Sequence, residues 1–243
     1  MIDKIELPYK TQRHIQECAC EVFPNELCGF ILPDLSFVKV DNIAIDKHKS
    51  FTINAIDRLY YHDAIAIVHT HTISTITHDP RTPSISDCEG QVMSGLPWLI
   101  YACDGDYINR EPVQIPRYHN PELLGRSFIA GYSDCYALVQ DYYYKYFDIS
   151  LKEHTPYTVR DILRGRFTFN NLLMEQYNFE QLTHYDELQD GDIVVLQQGI
   201  NQDNHIGVIH DSCIIHQSEI SISEPFETMV GRVQKYYRYK DLV

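Results

Sequence analysis

Two histidines one residue apart, His69-Thr70-His71, lie between Glu26, in the stretch Pro24-Asn25-Glu26-Leu27-Cys28-Gly29, and the run Ser84-Ile85-Ser86-Asp87. Two imidazoles and a carboxylate can hold a hydrolytic zinc ion, because three protein donors leave a fourth position for water. The preceding Ala64-Ile65-Ala66-Ile67-Val68 is short, apolar and rich in branched residues, which predicts a buried strand. Side chains two apart on a strand share a face, so His69 and His71 project together and Thr70 points away. Pro83 to Met93 reads as a loop entering a helix, with Asp87 on its first turn as the third ligand. Zn2+ lowers the pKa of its water to about 7, and a carboxylate outside the ligand set can shuttle the proton, a role that falls to Glu26. The bland readings are specific too. Ser84-x-x-Asp87 is an ordinary capping box that satisfies free backbone N–H groups, and His-x-His also occurs as a polar strand end. Capping and coordination are compatible, since a cap fixes the direction of the carboxylate.

A second set of residues carries different chemistry. Gly131-Tyr132-Ser133-Asp134-Cys135-Tyr136 places a cysteine at the start of a helix whose apolar stripe is Leu138, Val139, Tyr142, Tyr143 and Tyr146, with Ser133 or Asp134 as N-cap. Free N–H groups and the positive helix end favour a thiolate there, so Cys135 is expected to be nucleophilic near neutral pH. Asn204-His205-Ile206-Gly207-Val208-Ile209 and Cys213-Ile214-Ile215-His216 read as adjacent strands after the turn Asp190-Gly191-Asp192 and the strand Ile193 to Leu196. His205 can then act as base and acid for Cys135, with His216 orienting it as third member. Alternatively, Cys135 is a small core residue and the histidines are polar strand ends.

The elements that must position these groups follow from periodicity. A helix over residues 8–22 buries Ile15, Cys18, Ala19 and Val22; a strand runs Leu27 to Leu32. Helical stretches at Ala55 to Tyr61 and Ser86 to Met93 flank the histidine strand, and Trp98 to Ala102 forms another strand. The proline-punctuated segment Glu111 to Pro121 is the best boundary, giving domains 1–114 and 115–243 in an α+β, two-domain chain. The stretch Tyr157 to Tyr185 reads as helices and loops.

Composition bounds the function. At 243 residues each domain can bury its own core. The apolar runs are too short for a membrane span, and Met1 to Glu6 has no signal-peptide pattern, so synthesis in a cytoplasm is expected. Seven cysteines without a regular framework fit reduced thiols. Cys18 and Cys20 diverge on a helix and make a poor metal pair; Cys88, beside Asp87, is a weaker candidate for a ligand than the aspartate. A net charge of −14 argues against nucleic-acid binding. Eighteen tyrosines suit a protein surface or glycopeptide groove, although half-buried packing accounts for most.

Glu26, His69-Thr70-His71 and Ser84-x-x-Asp87 together resemble the JAMM (MPN-type) metalloprotease signature. That resemblance implies zinc on His69, His71 and Asp87, Glu26 as general acid and base, and Ser84 stabilising the oxyanion. Asp134-Cys135, His205-Ile206-Gly207-Val208 and His216 are similar to the NlpC-type cysteine peptidases of the papain-like class, which cut bacterial cell-wall peptides. The JAMM-first, NlpC-second order resembles the tail-tip assembly protein K family of lambda-like siphophages, and Leu124 to Phe128, Asp134 to Val139, Leu188 to Ile193 and Asn204 to Val208 follow that family's second domain in order. The implied architecture is a JAMM/MPN-like domain followed by a papain-like domain. The implied setting is the virion tail tip, with other tail-tip proteins as partners and a peptidoglycan peptide or a tail protein as substrate, cut during tail assembly or infection. The chain departs from the patterns at Thr72, where proline is usual, in a longer loop from His71 to Ser84 that contains His78, Asp79 and Arg81, and at Phe128, near the place of a substrate-recognising tyrosine. A structural tail component built from silent peptidase folds is the rival reading, and an isopeptidase acting on ubiquitin-like tags a third.

Overall fold

The computed structural model describes residues 3–73, 79–152, 168–198 and 201–242. The chain forms two compact units, Met1–Tyr118 and His119–Val243. The division lies a few residues past the 114/115 boundary expected from the prolines, because the short strand Val113–Ile115 still pairs within the first sheet.

The first unit runs α1 (Tyr9–Val22), β1 (Cys28–Ile31), β2 (Phe37–Val40), α2 (Ala55–Tyr60), β3 (Ala66–Thr72), α3 (Ile85–Ser94), β4 (Trp98–Cys103) and β5 (Val113–Ile115). Its sheet has the order β2-β1-β3-β4-β5. α1 buries Thr11, Ile15, Cys18 and Ala19, a stripe at helical spacing. Ile15, Cys18 and Ala19 pack with Ala66, Val68, Leu99 and Tyr101 of the sheet. Alternation then sends Ile67, His69 and His71 to the opposite face. β3 and β4 are parallel, so a crossover must join them; it contains α3, which carries Asp87. The hairpin partner β2 was not expected. Its turn, with Leu35 at positive φ and the Asp34 carboxylate accepting from Ser36 N–H, precedes only four strand residues.

The second unit runs α4 (Cys135–Phe147), α5 (Asn171–Gln176), β6 (Phe179–Leu182), β7 (Ile193–Gln198), β8 (Asn201–His210), β9 (Cys213–Gln217), β10 (Ser221–Pro225), α6 (Phe226–Met229) and β11 (Val233–Tyr239). The sheet order is β10-β9-β8-β7-β11-β6. Leu138, Val139, Tyr142 and Tyr143 of α4 share a core with Ile193, Val195, Ile206, Val208 and Ile215. Tyr146, expected in the same stripe, is exposed instead. The Tyr143 hydroxyl donates to Gly191 O at 2.6 Å, so this buried ring keeps its polar tip satisfied. Of the stretch Tyr157 to Tyr185, residues up to 167 lie outside those described; beyond them come α5 and the edge strand β6.

Candidate functional site

His69 and His71 stand on one face of β3, and α3 brings Asp87 to them. His69 Nε2 and His71 Nε2 are 3.1 Å apart, with Asp87 Oδ1 3.4 Å from His69 Nε2 and Asp87 Oδ2 3.2 Å from His71 Nε2. Ligand atoms on a tetrahedral zinc are separated by about 3.3 Å, so this donor set has the right chemistry and spacing for that ion. His69, His71 and Asp87 thus form a group that can hold a metal. The His71 Nδ1–H donates to Pro80 O at 2.7 Å, which leaves Nε2 as the lone-pair nitrogen. Pro80 belongs to the long loop, whose Asp79 and Arg81 pair at 2.7 Å; His78 lies outside the described residues. His69 is fully buried, stacked on Phe51 and edge-on to Trp98, and burial lowers its pKa, which keeps it in the neutral form that ligates. Burial alone would raise the Asp87 carboxyl, but the imidazoles against it outweigh that and hold it well below the usual range.

The capping box is real and coexists with this cluster. Ser84 Oγ accepts from Asp87 N–H at 3.1 Å while Asp87 Oδ2 accepts from Ser84 N–H at 2.7 Å. The cap therefore aims the carboxylate whose two oxygens face the histidines. The Ser84 Oγ lies 2.9 Å from Ser86 Oγ, at the wall of a cavity that Glu26, His71 and Asp87 also line.

Glu26 is held beside the histidine strand by backbone. Thr70 N–H donates to Leu27 O and the Thr70 hydroxyl accepts from Leu27 N–H, so the side chain pointing away from the cluster ties down the residue after Glu26. Thr72, in the place of the usual proline, donates to Pro24 O at 3.0 Å and adds a second tie. Burial pushes the Glu26 carboxyl up to about 7, with His71 opposing and Asp87 and Asp46 adding to the rise. A carboxyl in that range can both take and give a proton near neutrality.

In the second unit Cys135 is buried at the N-terminus of α4. Of the two N-cap candidates the cap is Asp134, whose carboxylate accepts from the N–H groups of Tyr136 and Ala137, and of Gly131. Backbone N–H groups of Ile206, Tyr136 and Cys135 itself favour the charged sulfur, and Ile206 directly follows His205. The burial of Cys135 works against the expected neutral-pH thiolate. Burial pushes the Cys135 thiol far up, and the Asp134 carboxylate adds to that, because a dry site penalises charge by more than these N–H groups return. His205 Nε2 lies 3.0 Å from His216 Nδ1, and His216 Nε2 lies 2.7 Å from Glu224 Oε2. Burial, aided by His216 and Arg232, drops His205 to about 3, so its ring is neutral at neutral pH.

Glu224 escaped the sequence reading. It lies on β10 two residues from Ile222, the register partner of His216, and so shares that face as a diagonal neighbour. Only the pairing of β9 with β10 makes it visible. Gly207, part of the expected His205-Ile206-Gly207-Val208 pattern, has a backbone reason: a Cβ there would meet Ile214 at 2.5 Å and His216 at 3.0 Å. Among the described residues a further cluster, Asp190, His210 and Asp211, sits at an exposed turn, with His210 Nδ1 3.0 Å from the Tyr142 hydroxyl.

Comparison with known proteins bears on both units. The chain is 25% identical over 246 residues to tail tip assembly protein K of Escherichia phage N15, covering 96% of this chain and 96% of that protein. Residues 124–238 match the NlpC/P60 family. The second unit therefore carries an NlpC/P60 domain, in a mixed α and β chain that resembles tail tip assembly protein K along nearly its whole length.

Proposed function

We propose that the protein is a phage tail-tip hydrolase with two amide-cleaving sites, one in each unit. The first unit is read as a JAMM/MPN-like zinc metallopeptidase domain with His69, His71 and Asp87 as metal ligands. A zinc ion held there would supply Lewis acidity and a water of lowered pKa. Glu26 takes a proton at its carboxylate and returns it to the leaving amine, and the Ser84 hydroxyl donates to the developing oxyanion.

The second unit is read as a cysteine endopeptidase. Glu224 accepts from His216 Nε2–H, His216 Nδ1 accepts from His205 Nε2–H, and His205 Nδ1 is left with the lone pair. As Cys135 Sγ bonds to the amide carbon, its proton passes to His205. His205 then protonates the departing amine as the C–N bond breaks, and water hydrolyses the thioester to regenerate the thiol. Starting from a neutral thiol and a neutral imidazole, the proton moves only when substrate is in place. The substrate class is a peptidoglycan peptide or a tail protein, the partners are other tail-tip proteins, and the place of action is the virion tail tip.

What carries this reading is the convergence of His69, His71 and Asp87 within 3.4 Å, matched by an NlpC/P60 segment that contains Cys135, His205 and His216. Recombinant protein is expected to hold about one zinc per chain, and His69→Ala to abolish it. Cys135→Ala should abolish muropeptide cleavage. Well-folded, metal-free wild type in zinc-supplemented medium would remove the first site, and unimpaired cleavage by Cys135→Ala the second. The burial of Cys135, which raises its thiol, favours a rival: a structural tail component whose peptidase folds act as building parts.

A further inference from the structure

The cavity at the histidine cluster has a volume of about 750 Å³, room for several residues of an extended chain. Among its described lining residues the carboxylates are Glu26 and Asp87, both at the cluster. Away from the cluster the charged lining is cationic, Lys49 and Arg58, in a chain of net charge −14. Lys49 is paired with Asp46, whereas Arg58 makes no ion pair among the described residues.

The helices bordering this cavity are unusual in what they leave outside. α2, which supplies Arg58, buries no side chain, and its Ile56 and Leu59 are 72% and 76% exposed. α3 buries only Asp87, while Val92 and Met93 are 75% and 83% exposed. Met93 also lines the cavity, as do Phe51 and Trp98. Large apolar side chains left in water on the helices that line a concave site, with Met93 in the lining itself, mark a surface that another polypeptide covers.

We propose that this groove takes an extended protein segment bearing large apolar side chains and a carboxylate, and not a cell-wall stem peptide. The inference rests on reading the cavity as the metallopeptidase groove and deepens it by naming the substrate class. Stem peptides are alanine-rich and offer carboxylates that would suit Arg58, but they have nothing to cover Leu59, Val92 and Met93. An acidic and apolar protein segment matches both features, with its carboxylate on Arg58 and its apolar side chains on the two helices.

Capture on immobilised full-length protein carrying Glu26→Gln and Cys135→Ala tests this, with a randomised synthetic decapeptide pool and a muropeptide digest as probes. Retained peptides should be enriched about threefold in those combining Leu, Ile or Met with Asp or Glu, the size expected of one exposed ion pair plus partial apolar burial. Arg58→Glu should erase the acidic preference, and Leu59→Ser with Met93→Ser the apolar one. Retained peptides that mirror the input, a preference these substitutions leave unchanged, or muropeptide retention that Arg58→Glu removes would each overturn the proposal. Capture needs neither zinc nor turnover, so a failure of the metallopeptidase reading shows separately in metal content.

Discussion

In the proposed cysteine mechanism, Glu224 decides which nitrogen of His205 is left to take the Cys135 proton. Its carboxylate accepts a hydrogen bond from His216 Nε2 at 2.7 Å, and that bond propagates through the 3.0 Å contact to fix both tautomers. Removing the acceptor leaves a buried imidazole N–H without its charged partner, worth about 1.5–3 kcal/mol for a hydrogen bond to a charged group. Glu224→Ala should therefore lower kcat/KM for muropeptide cleavage about ten- to a hundredfold, mostly in kcat, while Glu224→Gln, which keeps an acceptor oxygen, recovers part of it. Steady-state kinetics on the pair decides the matter: equal activity in wild type and Glu224→Ala would mean that His216 needs no anchor. The residue was illegible because glutamate on an exposed strand carries no periodic signal, whereas Cys135 after a capping residue and His205 at a strand did.

The pairing of β8 with β9 brings a titration consequence. His205 is buried on β8, and its pKa in the folded protein is depressed to about 3, by burial first and then by His216 and Arg232. In the unfolded chain it lies near 6.5. A depressed group stabilises the fold above its unfolded value, and the contribution disappears as pH falls through the window between about 6.5 and 3. The full effect is of the order of several kcal/mol. The urea midpoint followed by far-UV circular dichroism should fall between pH 7 and pH 4, and His205→Gln should flatten that fall. A wild-type midpoint as steep as that of His205→Gln would show that His205 is solvated. At this scale the sequence was largely legible. Tyr9–Val22 and Ala66–Thr72 emerge where an apolar stripe and an apolar run place them, and Ile85–Ser94 emerges behind its capping box at Ser84 and Asp87. Short strands such as Phe37–Val40 and Ser221–Pro225 were missed, since their pairing comes from neighbours distant in sequence or from a brief turn. Capping and metal coordination could not be separated at Asp87 by spacing, and the structure makes them one device.

At the scale of the whole molecule the two sites draw on different cores. Val68, Leu99 and Tyr101 support the histidine strand, while Leu138, Val139, Ile206 and Val208 support the cysteine helix and its facing strands. Each core is built from residues of one compact unit, so a substitution in one site removes no side chain from the other core. Independence is therefore the expectation: His69→Ala should lose zinc and keep muropeptide cleavage within about twofold of wild type, and Cys135→Ala should do the reverse, as sites that share no core residue add. If either substitution abolishes both properties, the sites are coupled. A double variant, with one substitution in each unit, settles whether the chain works as an enzyme in the particle. A phage carrying Glu26→Gln together with Cys135→Ala changes two buried side chains by little volume and leaves the surface charges in place, so a building part would survive these changes. Loss of infectivity with tails still assembled assigns the need to chemistry, whereas full infectivity of the double variant would make the protein chiefly architectural.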